Sequence, residues 1–227
     1  MGILVNDKDV VVPGEILAEG MDFVPSGDVF RDGEKLVSGR WGLVSVSGRI
    51  LKLIPLSGKY VPKRNDLVIG TIENVGISGW RIDIGCAFSA SLLLRDATQE
   101  FIERGADLSK FYDVGDYVMC QIVKTSGPKI IDVSMKGPGL RKLGPGKLLK
   151  VAPAKVPRII GKQGSMISMI KEMTDCKISV GQNGIIWLVG EDPKKELTAV
   201  DAINLIERES HISGLTDKVK ELLEKRK

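Results

Sequence analysis

The stretch VPRIIGKQGSMISMIKEM, Val156 to Met173, narrows most what this chain can fold into. Gly161 and Gly164 enclose two polar residues, Lys162 and Gln163, and long apolar residues crowd both sides. The apolar spacing on each side fits a short helix, so the glycines sit in a tight helix-to-helix link. Glycine there meets two needs: φ angles that other residues avoid, and close approach of a second backbone. A helix beginning at Ser165 presents unpaired N–H groups, which favour an anion such as phosphate. Other glycine-rich phosphate loops do not fit. GKQGSMIS lacks the G-x-x-x-x-G-K-[ST] spacing of a P-loop. A dinucleotide fingerprint needs a third glycine and an acidic residue after a second strand.

The flanking sequence supplies the context. KLLKVAP reads as a strand, AKVPRII and SMISMIKEMT as helices, CKISV and IIWLVG as strands joined by the tight turn GQNG. Asp192 is a helix N-cap with Pro193 at the first helical position. The helix it opens, KKELTAVDAINLIERES, places Leu197, Val200, Ile203, Leu205 and Ile206 mostly on one face. The order βααββα with Gly-x-x-Gly between the two helices is the type I KH arrangement, expected over 145–212, a fold that clamps the backbone of a single-stranded RNA. The candidate RNA contacts follow from it. Gly161 and Gly164 admit the sugar-phosphate backbone, Ser165 starts the anion-facing helix, Lys162 adds charge, and Gln163 hydrogen-bonds without specifying a base. Ile160, Ile167 and Ile178 are expected to wall a groove flanked by Arg158 and Lys177.

Charge points to the same partner. The formal net charge is only +4, yet Lys136 to Lys171 holds nine Lys and Arg and no Asp or Glu. Concentrated positive charge is the footprint of a polyanion.

Upstream, residues 1–62 read as short strands rich in Val, Ile and Leu, joined at turns such as Asp32-Gly33 and Ser47-Gly48. This small all-β unit carries no catalytic constellation, which makes docking its expected role. Residues 63–136 read as three strands (DLVIGTIENV, GWRIDIG, SASLLL), a helical piece TQEFIERGADLSKFY with Thr98 as N-cap, and two strands (GDYVMCQIVK, KIIDVSM). Five strands with a helix between the third and fourth describe an OB-fold barrel. Residues 213–227, ending in DKVKELLEKRK, form either a charged helix or a tail. The fold class expected is multidomain α+β: all-β unit, OB barrel, KH domain.

In that order the three units resemble the KH-bearing cap subunit of the RNA exosome, most closely its archaeal form, over nearly the whole chain. VPRIIGKQGSMI and VGQNGIIWLVGE carry the resemblance most clearly, and Gly181-Gln182-Asn183-Gly184 is similar to the family's G-x-N-G signature. The resemblance implies that Gly181, Asn183 and Gly184 are structural, tightening a turn and helping the KH domain pack on the OB domain. It also implies a non-catalytic role. Three copies, possibly mixed with the zinc-ribbon cap protein, sit on a hexameric ring of phosphorolytic RNase-PH-like subunits and feed it single-stranded RNA for 3′-to-5′ degradation. The OB barrel departs from many relatives of the ribosomal protein S-one class. Where they place stacking aromatics, this chain has Ser78 and Arg81, and Trp80 alternates with Ile82 and Ile84 as a core residue would. Lys63, Arg64, Arg81 and Lys124 are the candidate backbone contacts there.

Composition excludes several alternatives. His211 is the only histidine, so an imidazole metal centre is impossible, and no G-x-S-x-G accompanies it. Cys86, Cys120 and Cys176 are odd in number and far apart, which argues against a disulfide framework or zinc ribbon. No catalytic residue, metal or cofactor is expected. The N-terminus lacks a basic n-region, and no apolar run approaches 18 residues, so a cytoplasmic protein without a membrane partner is expected. Two rivals stand beside the exosome reading: a ribosome- or messenger-associated RNA-binding protein, and a hydrolytic nuclease using carboxylates such as Asp113 and Asp116.

Overall fold

The computed structural model describes residues 2–98, 103, 105–126, 130–210, 212 and 214–225. The chain divides into two compact units, Met1–Gly58 and Lys59–Lys227. In the first unit, β1 (Gly2–Ile3), β2 (Val10–Val11), β3 (Ile16–Glu19), β4 (Val24–Ser26), β5 (Val29–Asp32), β6 (Lys35–Ser38), β7 (Gly42–Ser47) and β8 (Ile50–Pro55) form two four-stranded sheets, ordered β1-β3-β6-β5 and β2-β7-β8-β4. The period of two is clear in β8, where Leu51 and Leu53 are buried while Ile50, Lys52 and Ile54 are exposed. Leu17 and Leu36 from one sheet meet Val44, Leu51 and Leu53 from the other in a shared core.

The second unit begins with a closed barrel. Its strands are β9 (Leu67–Val75), β10 (Gly79–Asp83), β11 (Ala90–Leu93), β12 (Tyr117–Ser126) and β13 (Ile130–Ser134). They run in the order β13-β11-β10-β9-β12, and β12 pairs with β13 to close the ring. Only β11 and β13 are parallel. This is the OB topology expected. A single turn of helix, α1 (Leu94–Ala97), ends at Thr98, its extended C-cap. Beyond it, Leu108–Lys110 makes a 3₁₀ turn capped by the Asp107 carboxylate. The expected helix falls partly on 99–102 and 104, which lie outside the described residues, as does His211.

A short strand, β14 (Arg141–Leu143), adds to the barrel by pairing with β12, so Gly137-Pro138-Gly139 leads into a strand. The rest of the unit is β15 (Lys147–Lys150), α2 (Val156–Ile160), α3 (Ser165–Thr174), β16 (Lys177–Val180), β17 (Ile185–Val189) and α4 (Pro193–Arg208). The sheet order β15-β17-β16 is antiparallel throughout. Asp192 caps α4 by accepting the Lys194 N–H at 2.9 Å, as expected. The buried face of α4 is Thr198, Ala199, Ala202, Ile203 and Ile206, whereas Leu197 is 55% exposed. The C-terminal segment is a helix, α5 (Leu215–Lys225), whose Leu215, Val219 and Leu223 are buried in the KH core. No helix among the described residues is long and apolar enough to cross a membrane.

Candidate nucleic-acid interface

Two short helices meet at the glycine loop. Pro157 sits in the first turn of α2, where its missing N–H costs nothing, and α2 closes when the Gly161 N–H donates to the Pro157 carbonyl at 3.0 Å. Gly161 then adopts φ 76°, ψ 176°. A Cβ on it would lie 2.7 Å from both the Cβ and the N of Met166, so only glycine lets α2 and α3 approach this closely. Gly164 differs. Its φ of +83° is left-handed, but a Cβ there would meet nothing within 4 Å. Gly164 is the N-cap of α3 and no side chain caps that helix; the Ser165 N–H turns back to the Lys162 carbonyl, so only the N–H groups after it face outward unbonded by a cap. Gln163 is also left-handed, at φ 53°, which is uncommon for a residue with a Cβ. Lys162, Gln163 and Ser165 are exposed, and both glycines are half-buried.

The two glycines are therefore expected to respond differently to alanine. Gly161→Ala combines strain with a backbone clash and should cost about 1–3 kcal/mol of stability. Gly164→Ala incurs the conformational term alone, about 1–2 kcal/mol. Denaturant unfolding of both variants checks the ranking, and a larger loss for Gly164→Ala would contradict it.

The three residues expected to wall the groove differ in depth. Ile160 is half-buried, but Ile167 and Ile178 are only 8% and 4% exposed and belong to the KH core. Met166, Ile167 and Ile170 recur at helical spacing on the inner face of α3, and Ile178 alternates inward from the exposed Lys177 on β16. Arg158 is exposed and donates to the Ile212 carbonyl at 3.2 Å.

The basic run also resolves into two parts. Lys142 pairs with Asp116, Lys147 with Glu196 at 2.9 Å, and the Arg141 guanidinium stands 6.0 Å from the Trp187 ring centroid. The Gly190 N–H and then Lys147 hold the Glu196 carboxyl below the usual carboxylate range. Desolvation pushes Asp116 upward, but Lys142 and the Asp113 N–H together outweigh it and leave the group lowered. Both acids lie outside the run in sequence and are brought to it by the fold. Lys136, Lys150, Lys162 and Lys171 are exposed, with no ion pair among the described residues. Asp113 and Asp116 shape a turn: Asp113 accepts the Val114 N–H and Asp116 accepts the Asp113 N–H.

On the barrel, strand register sets Arg81 opposite Ser91, Ser91 opposite Asp132, and Asp132 opposite Lys124. Arg81 and Lys124 thus occupy one row across four strands, both exposed, with Asp132 between them. Lys63 and Arg64 are exposed in the segment entering β9. Trp80 is 2% exposed, donates its Nε1–H to the Tyr112 carbonyl at 2.8 Å and meets the Tyr112 ring edge-on, so it is core.

The G-x-N-G turn joins barrel to KH domain. Asn183 Nδ2 donates to the carbonyls of Ile69 at 2.7 Å and Ile84 at 2.8 Å, and its Oδ1 accepts the Ile69 N–H at 3.3 Å. Gln182, which sequence reasoning left out, exchanges two bonds of 2.7 Å with the Leu67 backbone through its own N–H and its Oε1. A Cβ on Gly181 would meet Asn183 Oδ1 at 2.3 Å and Ile69 N at 2.8 Å. One on Gly184, at φ +85°, would meet the Val151 carbonyl at 2.3 Å. Ile69, Leu143 and Trp187 form a separate apolar cluster at the same junction. The turn ties two domains by treating the start of β9 as a strand edge to be covered.

Comparison with known proteins agrees with this architecture. Residues 147–205 match the family model described as KH domain, and 59–124 match that described as RRP4, S1 domain. Exosome complex component Rrp4 of Methanobrevibacter smithii is 43% identical over 221 residues, covering 97% of this chain and 72% of that protein. The same component from Thermococcus kodakarensis is 43% identical over 225 residues, covering 97% and 87%. A solved crystal structure of a protein assigned to the exosome complex as an RNA-binding protein superposes with a TM-score of 0.66 at 35% identity, covering 74% of this chain and 97% of its own.

Proposed function

Since the chain belongs to the family of exosome complex component Rrp4, we propose that it is a non-catalytic RNA-binding subunit of that complex. It captures single-stranded RNA and delivers it to a phosphorolytic RNase-PH-like ring for 3′-to-5′ degradation. The supporting observation is the loop Gly161–Gly164: two glycines and a left-handed Gln163 clear a path beside the uncapped start of α3, with Lys162 exposed over it. That arrangement fits a sugar-phosphate backbone and reads no base edge.

The work divides along the chain. Residues 1–62 dock on the ring, 63–136 line the path with Arg81, Lys124, Lys63 and Arg64, and 145–212 collect substrate, with 213–227 supporting the KH domain. Three such subunits cap one ring, alone or mixed with the zinc-ribbon cap protein, in the cytoplasm. Bond cleavage belongs to the ring. Asp113 and Asp116, the carboxylates a hydrolytic nuclease would need, are engaged in turn hydrogen bonds and the Lys142 pair.

Affinity purification from native cells should recover RNase-PH-like ring subunits. The purified chain alone should leave RNA length unchanged in phosphate, and adding it to the ring should speed shortening. Phosphate- or metal-dependent shortening by the chain alone would overturn the non-catalytic reading. Recovery of ribosomal proteins without ring subunits would favour a ribosome-associated role instead.

A further inference from the structure

At one end of the barrel lies a cavity of about 450 Å³ that the KH loop does not explain. Its walls come from three places. Tyr60 and Pro62 stand in the segment entering β9, Cys86 and Phe88 in the β10–β11 loop, and Thr125 and Ile131 opposite each other on β12 and β13. The volume falls in the range of roughly 300–1,000 Å³ of small-ligand pockets. The lining is mostly apolar, and cations stand close by in the chain. Lys59 and Lys63 each adjoin a lining residue in sequence, Arg64 follows Lys63, and all three are exposed without an ion pair among the described residues, whereas Lys124 shares the outward row of Asp132 rather than the side of Thr125. The neighbouring acids are engaged. Asp66 accepts the Tyr60 hydroxyl at 2.6 Å, Asp83 accepts the Gly85 N–H at 2.7 Å, and Glu73 accepts the Ser89 hydroxyl. Asp132 stands in register with Lys124 across the β12–β13 pair.

The loop that carries Phe88 is braced. Gly85 turns at φ +73° over the Asp83 carboxylate, and the Cys86 thiol donates to the Phe88 carbonyl at 2.9 Å. Phe88 remains 38% exposed. Tyr60 is 9% exposed and its hydroxyl donates to Asp66, which sets the ring as a wall; burial, then that bond, push the phenol above its ordinary range. An apolar slot with one exposed aromatic ring, beside a segment of exposed cations, suits a ligand that is flat and apolar at one end and anionic at the other.

We infer that this cavity holds one base of a bound RNA strand, stacked on Phe88, while Lys59, Lys63 and Arg64 meet the adjoining phosphates. The inference rests on the RNA-binding reading above and deepens it. The barrel lacks stacking aromatics on its second strand, and the β10–β11 loop supplies one from another position. Such a site tolerates any base, because every base has a π face.

The test uses the full chain and a ten-nucleotide RNA, with and without 4-thiouridine. Phe88→Ala and Phe88→Leu should each weaken binding roughly 5- to 100-fold, the range for loss of one stacked base. The loss should persist when Lys162 and Gln163 are also replaced by Asp. Photocrosslinks should map to the tryptic peptide Ile82–Arg95. Unchanged affinity in both Phe88 variants, or binding preserved by Leu and lost only with Ala, overturns stacking. Loss of ring subunits with RNA affinity unchanged assigns the cavity to a protein contact and overturns the proposal while sparing RNA capture. A wild-type chain that retains no RNA in dilute buffer removes both readings.

Discussion

Asn183→Ala should destabilise the second unit by about 3–5 kcal/mol, since it strands the Ile69 N–H and the Ile69 and Ile84 carbonyls, each worth about 1–3 kcal/mol when left buried and unpaired. For a unit of this size that corresponds to a fall in midpoint on the order of 10 °C. The side chain is 7% exposed, so water cannot easily replace it. The variant should also uncouple the barrel from the KH domain, turning one calorimetric transition into two. Gly184→Ala should act in the same direction, because its Cβ would meet the Val151 carbonyl at 2.3 Å. A single unshifted transition in Asn183→Ala would mean that the Leu67 exchange and the Ile69–Leu143–Trp187 cluster hold the junction unaided.

Replacing Lys162 and Gln163 together by Asp should weaken RNA binding roughly 10- to 100-fold at low salt. Each lost phosphate contact on a single strand makes the plot of log affinity against log salt shallower by about 0.7. Both side chains are exposed on a loop whose shape is set by the neighbouring glycines, so folding should survive the change. Titrations at several salt concentrations, with the same RNA throughout, read affinity and slope together. An unaltered slope would move the working surface from this loop to the barrel.

Much of this was visible in the residues alone. The order βααββα could be read because each element is short and bounded by glycine, proline or a capping aspartate. GQNG could be read as a tight turn because its sequence supplies positive φ, while its packing against the barrel came only from the family resemblance. Other features escaped for physical reasons. Lys142 and Lys147 looked free because Asp116 and Glu196 are distant in sequence and reach them only through the fold. The depth of Ile167 and Ile178 could not be read because apolar character does not reveal which face of a short element turns inward. The turn Leu94–Ala97 was missed because SLLL, ending at Leu94, reads as strand right up to its start. Gln163 gave no warning of its left-handed backbone, since the glycines on either side were credited with all the unusual geometry.

The last helix changes what counts as a complete KH fragment. The family match ends at residue 205, but Leu215, Val219 and Leu223 seal the same interior from outside that limit. A piece cut at 205 would bare the oily undersides of α3 and α4 and clump before it could meet any RNA. Any dissection of this polypeptide into separately expressed parts must carry the chain through Lys225.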